Sequence, residues 1–273
     1  MNQEATELTI LIKGAGEIAS GVAHTLFCSH FQICLTEIPY PQAVSRGVSF
    51  CEAVYEGEKE VEGVVAKLIT LPEQVFEVWA ESKIPLIIDP QASIKNFLHP
   101  DVLIDAIMAK RNLGTRITDA PLVIGLGPGF QAGRDVHVVV ETNHSDNLGK
   151  VIIQGRAEKD TGIPINIDGF TLKRVFHAPV DGRFYPLKDI GESVCAGETV
   201  AVIEEQPIKA EVDGMLRAML REGVEVKRGT KLGEIDPTNK EKEDCFIIRS
   251  KIRKITAGVL KAILTRAENG RYF

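Results

Sequence analysis

An internal repeat in the last third of the chain constrains the fold more than any other sequence feature. Residues 178–182 (APVDG) recur 32 positions later as residues 210–214 (AEVDG). The same offset relates Gly191 to Gly223, so the two copies place their turns at equivalent positions. One such copy is too small to bury a core of its own. The repeat therefore predicts two equivalent sets of short strands that share one core.

This repeat resembles that of biotinyl/lipoyl-like proteins, which implies a β-rich barrel-sandwich module over residues 173–237. In carrier members of that fold, the modified lysine stands at a hairpin tip between the two copies, within a Met-Lys-Met type of motif. Here Lys209 adjoins the start of the second copy, and no such motif surrounds it. We therefore expect no covalent biotin or lipoate, and a structural or docking role for the module.

A glycine-rich loop near the start of the chain predicts a cofactor site. Residues 8–12 form an apolar, β-rich run, and a helical pattern follows the sequence GAGEIA. In this context Gly14 permits a tight turn, Gly16 lets the backbone approach a diphosphate, and Ala19 allows close helix–strand packing. Glu37 ends the next predicted strand, where a dinucleotide-binding site holds the ribose. These four residues are the first part of the predicted binding site.

A second glycine-rich loop follows the apolar residues 121–124. Its glycines, Gly125, Gly127 and Gly129, alternate around a proline and predict a close approach of backbone to a ligand. Arg134 lies shortly after them and offers a fork of donors that suits phosphate or carboxylate. Because both loops follow buried strands, we expect them to emerge at one sheet edge and to share an anion. The alternative is that this loop only turns the chain.

The pattern of apolar segments predicts an α/β fold. Short β-rich runs alternate with helical patterns through the first half of the chain, which is typical of a parallel sheet covered by helices. The predicted organisation is a Rossmann-like domain over residues 1–172, the β module over 173–237, and a linker with a C-terminal helix over 238–273.

Composition excludes several classes of protein. The 32 Lys and Arg residues against 38 Asp and Glu give a net charge of −6, which disfavours nucleic-acid binding. No apolar run is long enough to cross a bilayer, and no signal peptide is evident, so we expect a cytoplasmic protein without membrane contact. The five cysteines form no CxxC pair, which predicts no metal site. The residues around Cys51 do not decide whether it handles sulfur or selenium.

The order of motifs resembles the YqeB-type accessory proteins of selenium-dependent molybdenum hydroxylase systems. The resemblance covers residues 8–265 and is most specific at VSFCEAVYEG (48–57) and GLGPGFQAGRDVHVVVET (125–142). It implies a role in maturation of such a hydroxylase, with the apoenzyme and other maturation factors as partners. The implied ligand is a dinucleotide or a molybdopterin-type cofactor. The chain departs from the family at residues 143–146, where a basic stretch is typical.

Two other functions are compatible with the sequence. An NAD(P)-dependent oxidoreductase would use the first glycine loop, but no proton donor or other catalytic residue is assigned. A non-catalytic scaffold would use the β module for docking and needs no ligand. Whether the chain catalyses a reaction is left open, and a homo-oligomer is compatible with either function.

Overall fold

The computed structural model describes residues 8–238 and 241–268, which form two compact units. Within the described residues, the first unit comprises residues 8–41, 50–160 and 248–268, and the second comprises residues 42–49 and 161–247 without 239–240. The described helices are α1 (Glu17–Cys28), α2 (Ala53–Glu56), α3 (Gln74–Ala80), α4 (Lys95–Leu98) and α5 (Ser250–Glu268). None of these helices has both the length and the apolar character needed to span a membrane.

The first unit is built on a nine-stranded mixed sheet with the order β3-β4-β5-β2-β1-β6-β7-β8-β9. The strands from β4 to β8 in this order are parallel, whereas β3 and β9 pair antiparallel to their neighbours at the two edges. The strands are β1 (Thr9–Lys13), β2 (Gln32–Glu37), β3 (Glu58–Val61), β4 (Val64–Ile69), β5 (Ile84–Ile88), β6 (Val102–Asp105), β7 (Leu122–Leu126), β8 (Val138–Val140) and β9 (Val151–Ile152).

The predicted Rossmann-like parallel sheet is therefore wrong for this unit. The β3–β4 hairpin turns at Glu62 and Gly63, both with positive φ (45° and 81°). Positive φ at both central residues is what a tight two-residue hairpin requires. This hairpin and the β8–β9 pair add an antiparallel strand at each edge, which makes the sheet mixed.

Helices cover both faces of the sheet. Leu11, Leu103 and Val123, from neighbouring strands, pack in one buried cluster with Val75 and Val78 of α3. Helix α5 packs against α1 and against the strands at the β7–β9 side. The C-terminal helix is thus part of the first unit, although residues 161–247 separate it in sequence from the rest of that unit.

The second unit consists of two four-stranded antiparallel sheets, with the orders β10-β17-β15-β12 and β14-β13-β11-β16. The internal repeat is visible in them, because β11, β12 and β13 begin 32 residues before β15, β16 and β17. Gly182 and Gly214, at equivalent positions of the repeat, have φ of 151° and 152°. The strands are β10 (Val175–His177), β11 (Gly182–Pro186), β12 (Ser193–Val194), β13 (Thr199–Ile203), β14 (Gln206–Lys209), β15 (Gly214–Met219), β16 (Glu225–Val226) and β17 (Lys231–Asp236).

The predicted biotinyl/lipoyl-like barrel-sandwich module is also wrong. The repeat correctly predicts equivalent strands and turns. It does not determine how these strands pair, and in the structure they form two distinct four-stranded sheets. Residues 42–49 also join this unit, because the Val44 carbonyl accepts the Met219 N–H at 2.8 Å and Arg46 Nε donates to the Met219 carbonyl at 2.8 Å. The compact units are consequently discontinuous in sequence, unlike the contiguous segments of the prediction.

A glycine in α1 sets how closely α1 and α5 approach. A Cβ atom at Gly21 would overlap Cγ2 of Ile252 and lie 3.1 Å from Cγ2 of Ile248. We predict that overpacking in Gly21→Ala destabilises the protein by ~1–3 kcal/mol. The higher helix propensity of alanine offsets about 1 kcal/mol of this loss. In an Ile252→Ala background, where the overlap is gone, the same substitution should be neutral or stabilising. Urea unfolding of the four proteins measures this, and equal effects of Gly21→Ala in both backgrounds would contradict the contact.

Candidate functional site

The candidate site is at the carboxyl edge of the parallel strands in the first unit. The strand order reverses at β1, which has β2 on one side and β6 on the other. In open α/β sheets, ligands bind in the crevice outside the carboxyl ends of the strands at such a reversal. The loop after β1, which contains Gly14 and Gly16, lies at this position.

The two glycines of this loop serve different purposes. Gly14 has φ +93°, and its N–H donates to the Thr36 carbonyl at 2.8 Å. A Cβ atom at Gly14 would lie only 3.2 Å from the Ala106 carbonyl oxygen. Gly16, in contrast, has an ordinary φ of −71° and precedes α1 without a side-chain cap. A Cβ atom at Gly16 would meet no atom within 4 Å, so neither backbone strain nor packing requires a glycine there.

Glu37 lies at the candidate site, where its carboxylate accepts hydrogen bonds from the protein's own backbone. Its Oε2 accepts the Ala15 N–H at 2.8 Å and its Oε1 accepts the Ile38 N–H at 2.7 Å. Burial raises the pKa of this carboxyl, and the two backbone hydrogen bonds oppose that rise. Glu37 therefore anchors the glycine loop to the end of β2.

Two further contacts stabilise the loop. The Ala15 carbonyl accepts the Cys51 N–H at 2.8 Å and the Ser20 hydroxyl at 2.9 Å, which connects the loop to the VSFCEAVYEG segment. Glu17, a negative charge beside the predicted anion site, lies 3.5 Å from Arg249 Nε at the start of α5. This arginine reduces the repulsion that Glu17 would exert on an anion.

Ala19 is buried in the first turn of α1.

The glycines of the second loop accommodate protein atoms. A Cβ atom at Gly125 would lie 2.5 Å from Cδ2 of Phe130. One at Gly127 (φ +72°) would overlap the Thr142 hydroxyl, and one at Gly129 (φ +116°) would lie 2.7 Å from the Arg111 nitrogen. The close backbone approach that the sequence indicates is thus made to the chain itself.

The structure does not bring Arg134 to the carboxyl edge. Strands β7 and β8 are parallel, so the chain must return to the opposite edge before β8 begins. Arg134 lies in this return, in a turn where the Gly133 N–H donates to the Val136 carbonyl at 2.8 Å. Its side chain is 73% exposed, with Asp135 at 3.9 Å. The return path follows from the strand pairing, which the glycine pattern alone does not reveal.

Sequence reasoning missed a buried polar cluster at the ends of β1 and β6. Lys13 and Asp105 are register partners in these strands. Lys13 Nζ donates to the Thr115 hydroxyl at 2.7 Å, Thr115 donates to Asp105 Oδ2 at 2.5 Å, and Lys13 Nζ lies 3.5 Å from the same Oδ2. The available signal was a charged residue at the end of each of two buried strands.

Around the segment where the chain departs from the resembled family, polar side chains bind a carboxylate of the protein itself, that of Glu158. Asn143, Ser145 and Asn147 all donate side-chain hydrogen bonds to Glu158. The hydrogen bond from Asn147 contributes most to lowering the pKa of Glu158. The donors of this segment are therefore engaged by a carboxylate of the protein. Across the described part of the chain, no cluster of three or more His, Cys, Asp or Glu side chains is placed to hold a metal ion.

Comparison with solved structures gives only weak similarities. The ectoine utilization protein EutE (DoeB) from Ruegeria pomeroyi has a TM-score of 0.26 and 13% identity, over 85% of this chain and 86% of that one. An aspartoacylase family protein from Mesorhizobium loti has a TM-score of 0.29 and 9% identity, over 86% and 87% of the two chains. TM-scores this low do not establish a shared fold.

Comparison of sequences gives a clear relationship. No protein-family model matches the chain. The chain is 42% identical over 261 residues to the Escherichia coli (strain K12) protein named "Uncharacterized protein YqeB". The aligned region covers 96% of this chain and 48% of that protein. The chain thus spans about half the length of the curated relative it matches. Over nearly its whole length, this chain is similar to part of YqeB, which is the resemblance that its motifs predict.

Proposed function

We propose that this chain is an accessory protein in the maturation of a selenium-dependent molybdenum hydroxylase, and that it binds a phosphate-bearing cofactor or nucleotide at residues 14–19. The observation that carries the binding proposal is the open space beside Gly16. Gly16 stands at the start of a 12-residue helix that has no side-chain cap, and neither its φ nor its packing requires a glycine. Because it has no side chain, its backbone faces that open space.

Phosphate fits this position on physical grounds. The first-turn N–H groups of a helix have no partner within the helix, and the helix dipole favours negative charge there. A side chain at Gly16 would fill the space that a phosphate needs to reach these groups. Arg249 offsets the charge of Glu17, the acidic residue of the loop.

Of the two ligand types, the structure supports a phosphate contact better than a ribose contact. A dinucleotide site uses the acidic residue after the second strand to bind a ribose hydroxyl. Here both Glu37 oxygens already accept backbone N–H groups. The oxidoreductase alternative, which depends on that ribose contact, is therefore the weaker candidate, and a molybdopterin-type or other phosphate-bearing ligand is favoured.

The accessory role is supported by the relationship to YqeB and by the family resemblance of the motifs. The proposed partners are the hydroxylase apoenzyme and other maturation factors. The chain matches about half of the YqeB sequence. The comparison therefore does not identify these partners, and they are part of our proposal.

We predict that Gly16→Ser abolishes ligand binding without destabilising the protein. Serine is as good as glycine or better before a helix, and its side chain would enter the open space and compete for the first-turn N–H groups. The measurement is differential scanning fluorimetry of both proteins against NAD(H), NADP(H), CTP and molybdopterin species. The variant should keep its melting temperature without ligand and lose the shift that the best ligand causes.

A matched control adds a polar side chain at another open glycine. Gly133 has φ +81° and open space around it, and asparagine tolerates this conformation. Gly133→Asn should keep the ligand-induced shift. A full shift in Gly16→Ser would place the ligand elsewhere, and the absence of any shift in the parent protein across the panel would contradict the binding proposal.

We predict that Glu37→Ala destabilises the protein even without ligand, by about 1–3 kcal/mol, because the buried Ala15 N–H loses its acceptor. The ribose-binding alternative predicts little change in stability and a selective loss of NAD(H) binding. Chemical unfolding without ligand separates the two, with Glu60→Ala on the exposed side of β3 as the control. A stability equal to that of Glu60→Ala would contradict the anchoring role of Glu37.

A further inference from the structure

A cleft of about 440 Å³ opens between the end of β5 and α4. Ile88, Ile94 and Phe97 contribute apolar surface to its lining, and Asp89 contributes a carboxylate. Asp89 Oδ2 accepts the Ile94 N–H at 2.8 Å, which joins the end of β5 to the residues before α4. The cleft is therefore bounded by elements that are fixed to each other.

Exposed apolar side chains extend this cleft onto α3. Phe76 of α3 lies against Phe97 of α4, with 6.0 Å between the ring centroids. We use the name α3–α4 patch for four side chains that are between 40% and 58% exposed: Leu71, Phe76, Ile88 and Phe97. Single exposed apolar residues are common on proteins, but a contiguous group beside a cleft is typical of an interaction surface.

The fold does not require an aromatic residue at position 76. Val75 and Val78 supply the buried side of α3. Trp79 is held by its Nε1, which donates to the Ile33 carbonyl at 2.7 Å, and Phe76 meets the Trp79 ring edge to face at 5.7 Å. Aromatic side chains supply much of the binding energy at protein interfaces. Phe76 is therefore placed to act as an anchor for a partner.

The lysines near the patch are already paired. Residues 70–99 contain two lysines, Lys83 and Lys95, and four acidic residues. Lys83 Nζ lies 2.7 Å from the Glu58 carboxylate, and Lys95 Nζ lies 2.6 Å from the Asp119 carboxylate. Each lysine thus neutralises a carboxylate outside residues 70–99.

Glu73 and Glu77 carry the negative charge on either side of Phe76. Both are exposed, and neither forms a hydrogen bond or an ion pair in the part of the chain that the structure describes. They are four residues apart, a spacing at which like charges on one helix face repel. Cations of a partner would relieve this repulsion. The patch thus combines an apolar cleft with charge of one sign, which is complementary to a basic and apolar surface.

We propose that the α3–α4 patch docks a segment of another protein in which apolar side chains are flanked by lysines or arginines. An apolar side chain of that segment would fill the cleft beside Phe97, and its cations would pair with Glu73 and Glu77. An anionic membrane surface attracts basic segments and would be repelled by these two carboxylates. The proposal does not depend on a ligand at Gly16.

The test is calorimetric titration of an amphipathic helical peptide of leucine and lysine into the full chain. Phe76→Gln should weaken binding by about 5-fold or more, the loss expected for an aromatic anchor. The double variant Glu73→Gln/Glu77→Gln should weaken it by roughly 2- to 30-fold, the loss expected for two exposed ion pairs. Trp79 is the only tryptophan of the chain and contacts Phe76, so binding at the patch should also change its fluorescence.

Matched controls alter the same kinds of side chain outside the patch. Ile153→Gln removes an apolar side chain that is 75% exposed, and Glu60→Gln/Glu205→Gln removes two exposed carboxylates. Both should bind the peptide within about twofold of the parent affinity. A peptide with glutamate in place of lysine should not bind.

Several outcomes would overturn the proposal. These are an absence of binding to the parent protein, equal binding of the acidic peptide, and equal losses in the patch and control variants. Sedimentation of the chain alone identifies the other occupant: self-association that Phe76→Gln abolishes would assign the patch to a second copy and would overturn a basic partner. None of these results changes the test of ligand binding at Gly16.

Discussion

The hydrogen bond from the Ala15 N–H to Glu37 is the interaction on which the candidate site depends. Together with the Cys51 N–H on the Ala15 carbonyl, it fixes both sides of one residue in the middle of the glycine loop. With Ala15 held, the path of the chain into α1 is set, and Gly16 is placed at the open space. A carboxylate that a sequence pattern would assign to ligand binding is here used to position the loop.

A second group of polar contacts within the protein lies at the same carboxyl edge. Lys13, Thr115 and Asp105 are buried together and anchor the segment that follows β6, whose first residues contact Gly14. Breaking such a cluster by removing one partner leaves a buried polar group or charge without compensation, which is strongly unfavourable. Polar groups that are satisfied within the protein therefore hold this edge in place.

The sequence predicts local structure better than it predicts pairing. Apolar runs locate β1 and β7, and the GAGEIA pattern lies at the start of α1, because burial and glycine conformation act over a few residues. The antiparallel edges, the two separate sheets of the second unit and the position of Arg134 depend on how distant strands pair. For the same reason the Lys13–Asp105 cluster was missed, since its members meet only when β1 and β6 are adjacent.

The central claim is that a phosphate binds the first turn of α1. Amide hydrogen exchange, measured with and without the nucleotide that gives the largest thermal shift, tests it most directly. The account predicts that the ligand slows exchange of the N–H groups at residues 16–19 and leaves the second unit unchanged. Slowed exchange confined to the second unit, or to the turn around Arg134, would contradict it.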